Sequence, residues 1–133
     1  DLASQSMIQN LLFIMIHKII GQIPHFQAGD ETTLREVLHP DREAIDLPYS
    51  LAQATIDVGK SSLPHRLSGG ELYIFRRGAG RIWVDGQARE VKEGELVYVP
   101  PGAEQHVENT GTEVLDFFCI VSPPWRASTE EIL

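Results

Sequence analysis

One imidazole and one carboxylate stand close together in the stretch from Gly59 to Gly78: His65 and Glu71. Between them lie Ser68, Gly69 and Gly70, a break at which an extended chain can bend. Side chains alternate faces along a strand, so His65 and Leu67 share one face, and Glu71, Tyr73 and Phe75 share one beyond the break. If both faces line the same interior, an imidazole and a carboxylate project together into an apolar pocket. A buried carboxylate without a partner is costly, and a metal ion, a cationic partner or a bound ligand would remove that cost. The alternative is a solvated Glu71 at a strand end. Tyr73 carries a polar tip on the face of Glu71 and is the candidate to move a proton beside it. Phe75, Trp83, Tyr98 and Phe117 read better as core than as pocket wall.

A second stretch, Gly94 to Gly111, holds Pro100, Gly102, Gln105, His106 and Asn109. Together the two stretches resemble the two motifs of the cupin superfamily, over roughly residues 33–123. The first motif's glycine, first histidine, glutamate and closing glycine fall on Gly59, His65, Glu71 and Gly78. Its second histidine falls on Leu67. The second motif's glycine, proline, glycine and asparagine fall on Gly94, Pro100, Gly102 and Asn109. Its histidine position holds Gln105, and His106 follows one place later. A one-residue offset on a strand reverses the face. The family register therefore turns Gln105, Val107 and Asn109 inward and His106 and Glu108 outward, whereas a bulge would bring His106 in.

The resemblance implies an all-β fold, a double-stranded β-helix or jelly-roll barrel with its site inside. It implies a divalent metal held by His65, Glu71 and Gln105 or His106. Mn²⁺, Fe²⁺, Ni²⁺ or Zn²⁺ would suit such nitrogen and oxygen donors. It also implies action on a small oxygen-rich molecule, a sugar derivative or dicarbonyl, by isomerase, dioxygenase or decarboxylase chemistry. Glu71 and Tyr73 would then be the catalytic side chains. Leu67 cannot ligate a metal. A metal-free small-molecule-binding or sensor module, anchored by His65 and Glu71, therefore stands beside the enzyme reading. A third reading is an interaction subunit that makes its contact through residues 1–20. Small cupins commonly pair, so the resemblance further implies a homodimer.

The length of 133 residues suits one domain with a sizeable core. The net charge of −8, with scattered basic residues, argues against a nucleic-acid surface. A single cysteine, Cys119, allows no intrachain disulfide and fits a cytoplasmic setting. It lies in an apolar run where Leu115, Phe117, Cys119 and Val121 face in together. The run from Leu11 to Ile20 is broken by His17 and Lys18, which leaves it too short to span a membrane. It also lacks the charged start and cleavage site of a signal peptide.

These features divide the chain into an N-terminal extension or dimer arm (1–32), a barrel (33–123) and a C-terminal tail (124–133). Thr33 to Leu38 alternates as a first strand, and His39-Pro40-Asp41-Arg42 is a turn. Tyr49 to Asp57 is a second strand, with either Ala52/Ala54/Ile56 or Tyr49/Leu51/Thr55 facing in. Asp85-Gly86 between short strands predicts a tight hairpin. Leu96–Val99 is a strand stopped by prolines. Val114–Val121 is the last strand, and the tail holds a one-turn helix with Ser128 and Glu131 at capping spacing. His17, His25 and His39 are read as structural or surface residues.

Overall fold

The computed structural model of the chain describes residues 15–133. The apolar run expected from Leu11 lies outside the described residues as far as residue 14. The strands are β1 (Phe26–Gln27), β2 (Thr33–Leu38), β3 (Ser50–Ile56), β4 (His65–Leu67), β5 (Gly70–Arg77), β6 (Ala79–Val84), β7 (Gln87–Lys92), β8 (Leu96–Val99), β9 (Gln105–Asn109), β10 (Leu115–Ser122) and β11 (Glu130–Ile132). They form two antiparallel sheets, a six-stranded one ordered β1-β2-β3-β10-β5-β8 and a five-stranded one ordered β11-β4-β9-β6-β7. This is the expected all-β jelly-roll barrel.

Period-two alternation decides which side chains fill the interior. On β10, Leu115, Phe117, Cys119 and Val121 are buried, while Asp116, Phe118 and Ile120 are partly exposed on the other face. On β5, Glu71, Tyr73 and Phe75 are buried between half-buried Leu72 and Ile74. Aromatic rings knit this core, with Phe117 tilted against both Tyr73 and Phe75 at 5.5 Å between centroids. The open question on β3 resolves to Ala52, Ala54 and Ile56 inward. Gln53 is buried on the opposite face, held by Arg35 and Asp116.

The Asp85-Gly86 hairpin joins β6 to β7, and both turn residues have positive φ (48° and 80°) as a two-residue hairpin requires. Two connections differ from the sequence reading. The turn after His39 is a one-turn helix, α1 (Pro40–Glu43), because Pro40 presets its first φ and His39 Nδ1 caps it by accepting the Asp41 N–H at 3.1 Å. The tail is a 3₁₀ turn (Ala127–Thr129) followed by β11, and Ser128 and Glu131 form no cap. Thr129 Oγ1 accepts the Arg126 N–H at 3.2 Å and closes the turn, which leaves Glu130–Ile132 to pair along β4.

Candidate functional site

The Ser68-Gly69-Gly70 break does more than bend the chain: it carries it from one sheet to the other. β4 belongs to the five-stranded sheet and β5 to the six-stranded one. A Cβ on Gly69 would lie 2.7 Å from the Ser122 carbonyl oxygen, so the crossing is tight enough to require glycine. The consequence is functional. His65 enters the interior from one wall and Glu71 from the other, and both line a cavity of about 110 Å³. The rest of its wall is mainly apolar, including Leu34, Ala54, Leu67, Val107 and Phe117.

His65 is 3% exposed. Its Nδ1 lies 2.8 Å from the Leu63 carbonyl, which can only accept, so Nδ1–H donates. Nε2 stands 4.0 Å from Asp30 Oδ2. Asp30 is held there by its own loop. Its Oδ1 accepts the Thr32 N–H (3.1 Å) and hydroxyl (2.7 Å), and its carbonyl accepts the Leu63 N–H at 2.7 Å. The sequence reading missed Asp30 and placed it in the extension. The signal present was local: an aspartate two residues before a threonine is a common side-chain-to-backbone turn.

Glu71 is 6% exposed, and its Oε1 is buried with no hydrogen-bond partner among the described residues. Burial pushes its carboxyl up to about 7, against the opposing pull of His65. Tyr73 also lines the cavity, but its hydroxyl donates to Gln105 Oε1. Burial, with the neighbouring Glu71 second, raises the Tyr73 phenol well above its ordinary value and keeps it protonated. Cys119 reaches the cavity from β10, and burial likewise raises its thiol.

The other candidate residues fall as follows. Gln105 faces inward and is 2% exposed, but its amide oxygen is taken by Tyr73. His106 lies on the opposite face of β9, half-buried and stacked on Trp83 with 5.8 Å between ring centroids. No bulge turns it inward, since β9 runs in unbroken register with β6. Burial lowers the His106 pKa. Trp83 and Tyr98, read as core, instead face outward, and Tyr98 is 60% exposed. His39 is structural: Nδ1 caps α1, so Nε2–H donates to the Trp125 carbonyl at 2.6 Å.

The donor set does not fit the implied metal. Of the positions the resemblance assigns to ligands, one is the apolar Leu67, one is a glutamine already hydrogen-bonded, and only His65 and Glu71 remain. His106 does not make up the deficit. Among the described residues, no three His, Cys, Asp or Glu side chains are grouped so as to hold a metal ion.

Comparison with known proteins agrees with the fold. A cupin domain family model matches residues 52–121, and the chain belongs to that family. An uncharacterized protein of Methanocaldococcus jannaschii is 34% identical over 113 residues, covering 84% of this chain and 90% of the relative. A dimethylsulfoniopropionate lyase of Ruegeria pomeroyi is 30% identical over 105 residues, covering 76% and 68%. Among solved structures, a predicted oxalate decarboxylase from Thermotoga maritima superposes with a TM-score of 0.72 at 18% identity, covering 81% of this chain and 99% of that one. At that identity the likeness shows the fold alone.

Proposed function

We propose that this cupin barrel binds a small molecule in its cavity and moves a proton on it, with Glu71 as the proton-transfer group and His65 beside it. The observation that carries this reading is the buried Glu71 on the cavity wall, whose Oε1 has no hydrogen-bond partner among the described residues. A carboxyl with a pKa of about 7 holds and releases a proton near neutrality, as general acid–base catalysis requires. Tyr73 is a positioning group here, because its hydroxyl is committed to Gln105.

Of the chemistries expected from the sequence, isomerisation is the one these side chains can perform by themselves. Elimination is the related possibility, and the lyase relative supports it. The mainly apolar wall favours a ligand with fewer hydroxyls than a sugar. The donors present do not fit a divalent metal, and the proton transfer rests on Glu71. A metal-free sensor remains the second reading, favoured by Leu67 at a ligand position. The homodimer also belongs to this proposal, supported by an apolar strip on the outer sheet face that ends at exposed Leu96 and Tyr98.

Proton transfer can be tested without knowing the product. Small ketones and aldehydes are incubated with the protein in D₂O, and loss of the C–H signal is followed by proton NMR. Wild type should catalyse exchange on at least one compound, and Glu71→Gln should slow it by about 100-fold or more. Exchange that survives the substitution unchanged would remove Glu71 from this role.

A further inference from the structure

The side chains facing the cavity point to the charge of its ligand, given the reading of the cavity as a small-molecule site. Asp30, Glu36, Glu71 and Glu130 all line it, and no lysine or arginine does among the described residues. Two of these acids are already engaged. Glu36 faces Arg42 at 3.2 Å, and Glu130 accepts the Trp125 indole N–H at 3.0 Å. Asp30 and Glu71 have no lysine or arginine partner among the described residues, and the basic group near both is His65.

The acceptors left over are specific. Asp30 spends Oδ1 on Thr32 and leaves Oδ2 toward His65. Glu71 leaves Oε1 buried and unpartnered, on a side chain 6% exposed. His65 donates Nδ1–H to the Leu63 carbonyl, and its Nε2 stands 4.0 Å from Asp30 Oδ2. All three residues line one cavity, and Asp30 and Glu71 bring carboxyl oxygens to it. A ligand carboxylate or phosphate would find no lysine or arginine there and would be desolvated against two acids. An ammonium group offers only donors, and its charge would offset the cost of burying Glu71. Its hydrocarbon part would lie against Phe117, Leu34, Ala54 and Val107.

We propose that the barrel cavity is selective for a small organic cation, an amine with N–H donors on an apolar body, held by Asp30 and Glu71. The test uses three probes with one branched body: 3-methylbutylamine, 3-methylbutanol and 3-methylbutanoate. Each is titrated at neutral pH into ¹⁵N-labelled protein, and the amides of Val107 and Phe117 are followed. The amine should bind about tenfold or more tightly than the alcohol, with the carboxylate weakest. Glu71→Gln and Asp30→Asn should each erase most of the preference for the amine over the alcohol, and amide spectra with wild-type dispersion show that the variants fold. Carboxylate binding equal to amine binding, or an amine preference that survives both substitutions, would overturn the proposal. If the alcohol binds as well as the amine, the cavity reading stands and the charge selectivity falls. If no probe moves these amides, both fall.

Discussion

Glu71 has a consequence that can be measured without a ligand. Its carboxyl ionises near 4.5 when unfolded and near 7 when buried. Below pH 4.5 it is protonated in both states and the protein has the full benefit. Between those values the unfolded chain ionises and the native one does not, so stability falls as pH rises. Above about 7 both states are ionised and this contribution levels off. The total loss should be about 3 kcal/mol. Urea denaturation across this range should show the decline in wild type and a flatter profile in Glu71→Gln, which should be the more stable form at pH 8. A decline of equal size in the variant would assign the effect to other groups. His65, Asp30, Tyr73 and Cys119 face Glu71, so the midpoint reports the cluster rather than an isolated acid.

At the scale of elements, the site depends on polar ties at strand ends. Asn109 is 3% exposed and closes the end of β9. Its amide donates to the Ile56 and Glu113 carbonyls at 2.9 Å each, and its oxygen accepts the Gly111 N–H at 2.9 Å. Replacing Asn109 with Ala leaves those buried backbone groups without a partner and should destabilise by about 2–3 kcal/mol in chemical denaturation. A cost below about 0.5 kcal/mol would mean that water replaces the amide.

Much of this framework was legible because glycine, proline and asparagine report backbone demands directly. Asp85-Gly86 gave its hairpin, Ser68-Gly69-Gly70 its break, and the motif spacing put Gln105 inside and His106 outside. Two things were not legible. On β8, Leu96-Val97-Tyr98-Val99 is apolar on both faces, so alternation alone does not choose a register, and Tyr98 turned out to face outward. Asp30 reaches His65 through a contact between a loop and a distant strand, and no periodicity in the sequence encodes that.

In the whole molecule, the six-stranded sheet carries an apolar strip on its outer face, beside the polar Arg35, Gln53 and Asp116. Ile120 lies between Leu51 and Leu72, and Leu72 pairs with Tyr98. Beside that row, Phe118 pairs with Ile74, and Ile74 with Leu96, with the Arg76 guanidinium 4.7 Å above the Phe118 ring. This face is the surface through which the proposed homodimer would form. Light scattering should give twice the chain mass for wild type and the single-chain mass for a Leu96→Glu, Tyr98→Glu variant. A wild type that stays monomeric at high concentration would contradict the dimer. The described residues contain no helix long and apolar enough to cross a membrane.

The central claim is that Glu71 is a buried acid facing a ligand cavity with its proton in play near neutrality. The most direct test is the ¹³C shift of the Glu71 side-chain carboxyl, assigned by its loss in Glu71→Gln and followed from acid to alkaline pH. A titration midpoint near 7 is the expected result. A midpoint near 4.5, the value of an ordinary solvated glutamate, would contradict the account.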